Sequence, residues 1–243
     1  MESFGPIAPH YDVLMANVPY DSWAGYYRLL LSVLELDPDR ILDACCGTGT
    51  VAELLTVAGY QVSGFDLSAA MIDQARAKAA AKGLEIPYWV ADATGLDLGQ
   101  TFEGVYSFFD SFNYITTLEG FRSAVARVAA HLEPGGSFIF DLNTAYAFEA
   151  QMFDQRDRRA RAKIQYEWQG SYCPESRLIE VNMTFWRDGQ EFKEVHRQRA
   201  HSDEEVRQAL EDGGFTSVRS FDSYTLDKPR KRSDRIHYCA LLD

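Results

Sequence analysis

The sequence predicts an α/β fold: a parallel sheet covered by helices on both faces, with an antiparallel insertion late in the chain. Three observations lead there. Short apolar runs alternate with amphipathic segments between residues 21 and 142, and period-two patterning replaces them after about residue 160. A glycine-rich turn, ILDACCGTGT, joins the first apolar run to the helix that follows it. At 243 residues and 46% hydrophobic, the chain can bury one full core.

The elements follow in order. Trp23, Tyr26, Tyr27, Leu30, Val33 and Leu34 recur at three- and four-residue spacing, which predicts a helix over 21–36 with Asp21 as N-cap and Pro38 beyond its end. A strand is expected at 40–44, a helix at 51–58 stopped by Gly59, and a second strand at 61–65. Ser68 caps a helix ending at Gly83, and strands at 88–91, 104–109 and 137–142 complete the series. A helix over 118–131 precedes the Pro134-Gly135-Gly136 turn. In such sheets ligands sit beyond the carboxyl ends of the strands.

Past residue 160 the pattern changes. Ile164, Tyr166, Trp168 and Tyr172 alternate with polar partners, Ile179, Val181, Met183 and Phe185 do the same, and Asp188-Gly189 signals a hairpin before 191–199. Three antiparallel strands are expected. Ser202 and Glu205 form a capping box for a helix to Gly213, and closing strands fall near 218–224 and 235–241.

The net charge of −12 opposes a polyanion as main partner, because neutralising phosphates takes a basic surface. Two runs stand apart, RDRRARAK at 156–163 and KPRKRSDR at 228–235, each with five basic residues in eight. They are solvated loops or a local anion site near a pocket mouth. Cys45, Cys46, Cys173 and Cys239 offer no CxxC pair, and no His/Cys/Asp cluster has ligand spacing, so no metal is expected. MESFGPIAPHYD has neither a basic start nor an apolar h-region, and no apolar run is long enough for a membrane span. A soluble cytoplasmic protein is the expectation.

Glycines between a first strand and a first helix let backbone approach a ligand, and Gly47 and Gly49 meet that need. Asp66, at the end of the second strand, supplies a carboxylate for a ribose diol. Asp43 separates a dinucleotide from other nucleosides: inside the strand it would repel a pyrophosphate but hold the cationic amino-acid end of S-adenosyl-L-methionine.

ILDACCGTGT, VSGFDLSAAMIDQA, VADA, VYSFFDSFNYI and LEPGGSFIFDLN, in this order, resemble the motifs of class I S-adenosylmethionine-dependent methyltransferases over residues 41–143. HYDVLMANVPYDSWAGYY, DSFNYI and EVHRQRAHSDEEV extend the resemblance to the bacterial YqeM-like methyltransferases, and more distantly to the nucleotide-aminosugar N,N-dimethyltransferases. The resemblance implies a Rossmann-like seven-stranded sheet with a C-terminal reversed hairpin and an inserted three-stranded lid. Its expected segments are a cofactor-binding core with N-terminal helices at 1–154, the lid at 155–201, and a closing helix and hairpin at 202–243.

The resemblance also implies roles. Gly47 and Gly49 line the methionine and ribose side, Asp43 lies by the amino group, and Asp66 binds the ribose hydroxyls. Leu67 and Met71 flank adenine, and Asp92 accepts from its amino group with Ala93 alongside. Tyr11 and Tyr20 fold over the methionine end, while Cys45, Phe109 and Asp110 complete the cofactor wall. Cys45 stands where the family usually has the first glycine of Gly-Cys-Gly.

For the acceptor side, Tyr114 occupies the position at which the aminosugar enzymes carry a histidine. A neutral phenol of pKa about 10 orients an acceptor better than it removes a proton at pH 7. Asp110 and Asn113 are expected to shape the same wall. Strand alternation puts Glu194, His196 and Gln198 on one face and Val195, Arg197 and Arg199 on the other, so His196 as proton acceptor and Arg199 as anion partner cannot both face the acceptor without a bulge. The expected activity is transfer of a methyl group to a nitrogen or oxygen of a small molecule, the methyl acceptor being the partner. An RNA (tRNA) methyltransferase and a non-catalytic S-adenosylmethionine-binding protein are the alternatives. The lid's aromatic residues suit pocket cover or a homodimer face.

Overall fold

The computed structural model describes residues 4–243, so the first three positions of the expected 1–154 segment lie outside the described residues. A short helical stretch ending in α1 (Tyr11–Leu14) leads into α2 (Tyr20–Val33). The core series follows as β1 (Arg40–Ala44), α3 (Thr50–Val57), β2 (Gln61–Asp66), α4 (Ala69–Ala81), β3 (Tyr88–Val90), β4 (Phe102–Ser107), α5 (Leu118–Ala130), β5 (Leu132–Asn143) and α6 (Ala145–Glu149). Next come β6 (Gln155–Asp157), β7 (Gln165–Cys173), β8 (Leu178–Arg187) and β9 (Gln190–Arg199), then α7 (Asp203–Asp212), β10 (Phe215–Asp222) and β11 (Arg235–Leu242).

The main sheet has seven strands in the order β10-β11-β5-β4-β1-β2-β3. Strands β1 to β5 run parallel, β11 is antiparallel to β5, and β10 is antiparallel to β11, which makes the reversed hairpin. Ile41 and Leu42 are adjacent on β1, point to opposite faces, and are both fully buried. One face packs Leu42, Phe65 and Phe140 against Phe121 and Val125 of α5 and Leu210 of α7. The other packs Ile41, Val62 and Tyr106 against Tyr27 and Leu30 of α2 and Leu55 of α3.

The caps hold at two helices and shift at a third. Ser68 accepts from the Met71 N–H, and Ser202 with Glu205 forms both bonds of the capping box. Asp21 is not the cap of α2. Pro19 holds that position without a side-chain bond, and Asp21 sits in the first turn, where a carboxylate favours the helix dipole.

The inserted sheet has four strands, β6-β7-β8-β9, not three. Gln155, Arg156 and Asp157 have poor strand propensity, and they become a strand through pairing with Trp168, Glu167 and Tyr166 of β7. One face of this sheet buries Ile179, Val181, Met183 and Phe185 against Ile7, Met71 and Phe148. Among the described residues no helix is long and apolar enough to cross a membrane.

Candidate active site

A cavity of about 1010 Å³ is lined by the carboxyl ends of the core strands, the N-terminal segment and the inserted sheet. That is the upper end of the roughly 300–1,000 Å³ typical of ligand pockets. The parallel order of β1, β2, β3 and β4 brings their ends to one rim, where the chain must turn.

From β1 comes Asp43, only 4% exposed. Burial, with the nearby Asp66 carboxylate adding to it, pushes its carboxyl up to about 8. A cation arriving in the cavity would restore its charge. Asp66 is also raised by burial; its two oxygens accept from the N–H groups of Gly47 and Ser68, each at 2.9 Å. Each oxygen keeps acceptor capacity for a ligand. Asp92 caps a short turn, one oxygen taking both the N–H and the hydroxyl of Thr94 at 2.8 Å, with Ala93 buried beside it.

The two glycines of the loop serve different ends. Gly47 has φ +55°, and a Cβ there would meet nothing within 4 Å, so its backbone is bare to the cavity. Gly49, at φ +75°, is not among the lining residues. A Cβ there would come within 2.3 Å of the Tyr88 hydroxyl, so its need for glycine lies in packing behind the loop. Cys45, Phe109 and Asp110 are left-handed without being glycine, at φ +63°, +69° and +53°, and all three line the cavity. Such a conformation costs roughly 1–2 kcal/mol per residue, so the fold holds strain at this rim. Burial raises both the Cys45 and Cys46 thiols, which keeps them protonated and poor nucleophiles.

Leu67 and Met71 also diverge. Both line the cavity, but Leu67 is 63% exposed there, while Met71 is 2% exposed and packs with the inserted sheet. Tyr11 and Tyr20 reach the cavity from the N-terminal segment, and burial pushes the Tyr20 phenol up to about 12. A clasp that the sequence did not reveal fastens this segment to the glycine loop: Asp12 accepts from the Thr48 hydroxyl at 2.6 Å and pairs with Lys78 at 2.9 Å.

Tyr114 and His196 also line the cavity, and with Glu194 behind them they form a chain. The Tyr114 hydroxyl lies 2.8 Å from Nδ1 of His196, and Nε2 of His196 lies 2.7 Å from Glu194. Glu194 also accepts the backbone N–H groups of Phe4 at 3.1 Å and Ile7 at 2.9 Å. Burial, followed by the Asp110 carboxylate, holds the Tyr114 phenol well above its ordinary range. The sequence placed Glu194 on the His196 face but gave it no part. Two residues of separation on one strand was the available signal.

Arg199 is not brought to this wall. It does not line the cavity, although Val195 and Arg197 of the same face of β9 do, because its guanidinium is held at 2.8 Å by Glu205 of the α7 capping box. Asn113 also does not line the cavity. Its amide donates to the carbonyls of Asn143 and Arg199 and accepts from the Asn143 N–H, tying the main sheet to β9. Asp110 lines the cavity but is engaged, accepting from Arg235 at 2.8 Å and from the Gln198 amide at 2.6 Å. Arg235, last of the second basic run, also pairs with Asp141. Arg159 pairs with Asp157 and Arg230 with the neighbouring Asp227, so each run has one arginine held by a local carboxylate. Among the described residues no group of three or more His, Cys, Asp and Glu could hold a metal ion.

Residues 41–136 match the methyltransferase domain family. YqeM of Bacillus subtilis, whose name marks its methyltransferase activity as provisional, is 30% identical over 236 residues, covering 95% of this chain and 93% of that protein. A solved S-adenosylmethionine-dependent methyltransferase from Clostridium acetobutylicum superposes with a TM-score of 0.86 at 28% identity, covering 99% of each chain. Shorter stretches match two enzymes with named acceptors. The dTDP-3-amino-3,4,6-trideoxy-alpha-D-glucopyranose N,N-dimethyltransferase of Streptomyces venezuelae is 35% identical over 105 residues, 43% of each chain. The demethylmenaquinone methyltransferase of Thermus thermophilus is 32% identical over 145 residues, 56% of this chain and 62% of that enzyme.

Proposed function

Since the chain belongs to the YqeM-like class I S-adenosylmethionine-dependent methyltransferases, we propose that it methylates a nitrogen or oxygen of a small molecule, with Tyr114 and His196 managing the acceptor's proton. The observation that carries this reading is the hydrogen-bonded Tyr114–His196 pair, backed by the buried Glu194, on the wall of the same cavity as Asp43 and Asp66. When bound, S-adenosylmethionine supplies a methyl group made electrophilic by its sulfonium.

The residues present fit that cofactor. Asp43 can pair with its ammonium, the bare backbone at Gly47 admits its methionine and ribose side, and Asp66 can accept from the ribose hydroxyls. Leu67 offers an apolar surface without protein cover to adenine, and Asp92 has a second oxygen for the adenine amino group. Tyr11 and Tyr20 close the methionine end and exclude water. Tyr114 stays protonated and orients the acceptor, giving its own proton to His196 as it takes the acceptor's. Glu194 steadies the ring and the charge it gains. Segment 155–201 acts as the lid, since its apolar face packs on this chain's own Ile7 and Phe148. A net charge of −12, with Arg159, Arg230 and Arg235 of the basic runs held by carboxylates, supports a small acceptor over nucleic acid.

The test is titration calorimetry with S-adenosylmethionine. Asp66→Ala is expected to weaken binding by about 1–3 kcal/mol, the loss that follows removal of hydrogen bonds to a charged group. Unchanged affinity would take Asp66 out of the ribose role.

A further inference from the structure

The acceptor half of the cavity carries information about the acceptor itself. Phe4, Ile7, Phe153, Trp168, Met183 and Phe185 line it, a largely aromatic wall supplied by the N-terminal segment, the stretch after α6 and the inserted sheet. Its cations are already engaged. Arg197 pairs with Glu180 at 2.8 Å, and Arg235 sits between Asp110 and Asp141. Among the described residues no lysine lines the cavity, while Asp234 adds a carboxylate to it. A diphosphate needs free Arg or Lys donors, and a carboxylate-bearing wall repels it. A flat apolar body gains from aromatic faces.

The proton chain narrows the reacting group. A proton passed through a phenol to an imidazole comes readily from a donor about as acidic as a phenol, pKa ~10. It comes far less readily from an aliphatic hydroxyl as weakly acidic as water, ~15.7. We infer that the acceptor is an uncharged, ring-bearing molecule whose reacting group is a phenol- or enol-type hydroxyl, seated between the inserted sheet and the N-terminal segment. This rests on the methyltransferase reading above and excludes nucleoside-diphosphate sugars as acceptors.

The transfer balances as follows. The acceptor oxygen uses a lone pair to form the new bond to the methyl carbon, and the bonding pair of the broken carbon–sulfur bond stays on sulfur. The acceptor's proton goes to the Tyr114 oxygen, the Tyr114 proton goes to Nδ1 of His196, and the ring's Nε2–H remains directed at Glu194.

The experiment is calorimetric titration of the full chain, saturated with S-adenosylhomocysteine, with 1-naphthol and separately with UDP-glucose. The expected result is that 1-naphthol binds at least tenfold more tightly than UDP-glucose. Trp168→Ala should weaken 1-naphthol at least fivefold while leaving cofactor affinity within twofold, which reports an intact fold. Equal or tighter UDP-glucose binding, absent 1-naphthol binding, or 1-naphthol affinity untouched by Trp168→Ala would each overturn the inference. A protein that binds neither S-adenosylmethionine nor its product would instead remove the underlying methyltransferase reading.

Discussion

The Tyr114 hydroxyl and Nδ1 of His196 lie 2.8 Å apart although the residues are 82 positions apart in the chain. On the proposed mechanism, that contact makes the phenol one end of a route for a proton. Burial holds the Tyr114 phenol well above its ordinary value, so Tyr114 alone cannot act as a base at neutral pH. With His196 behind it, it need not lose its proton in isolation. It can accept one proton while passing on another.

Tyr114→Phe removes the hydroxyl and keeps the ring. Turnover should fall at least about tenfold, or roughly 1.4 kcal/mol, with S-adenosylmethionine affinity unchanged. Steady-state kinetics with calorimetry checks both. Wild-type turnover would exclude Tyr114 and leave His196 as the residue to examine.

Glu194 has two tasks that substitutions can separate. Glu194→Gln removes the charge opposite His196 and keeps a single oxygen, enough for one of the Phe4 and Ile7 N–H groups that the two carboxylate oxygens now serve separately, so kcat should drop with a smaller loss of stability than in Glu194→Ala. Glu194→Ala leaves those N–H groups without their acceptor, and an added loss of about 1–3 kcal/mol is expected in denaturant unfolding. Equal stability in the two variants would separate Glu194 from the N-terminal segment.

Asp43, held near 8 in the protein without ligand, should lose its proton when a cation binds beside it. Near pH 7, cofactor binding is therefore expected to release up to one proton, visible as a binding enthalpy that varies with buffer ionisation heat. Affinity should rise with pH until the free carboxyl has titrated. The stability sign is opposite. A folded-state value raised above the unfolded one means that stability is fully present below about 4 and falls as pH rises through about 8. Asp43→Asn should thus melt higher than wild type at pH 8 without ligand while binding the cofactor more weakly. A lower melting temperature would contradict this.

His237 on β11 is fully buried among Tyr26, Phe108 and Tyr224, and burial, with Arg235 adding, lowers it to about 3. Its folded-state value lies below the unfolded ~6.5, so its neutral form stabilises the fold above that pH, and the contribution drains away as pH falls towards 3. His237→Phe should flatten the loss of stability between pH 6.5 and 4 by a few kcal/mol. An unchanged slope in pH-dependent denaturation would sink the prediction.

The order of strands and helices along the chain, and the parallel sheet it implies, was readable because each signal is local. Alternating apolar runs, the Ser68 and Ser202 caps and the Asp188-Gly189 turn act over a few residues, and Asp43 and Asp66 lie at the ends of strands whose direction that order fixes. The even-numbered face of β9 was readable for the same reason, since alternation is a property of any strand.

What only the tertiary structure decided is where distant segments meet. Phe4 and Glu194 are 190 positions apart, so no spacing announces that one carboxylate holds both the N-terminal segment and the His196 ring. Strand β6 exists through pairing with β7, Gly49 is required by Tyr88, and Arg235 is turned inward by Asp110 and Asp141. Each depends on a partner brought from another part of the chain by strand pairing or core packing, whereas the sequence carries only the side chain that the partner will find.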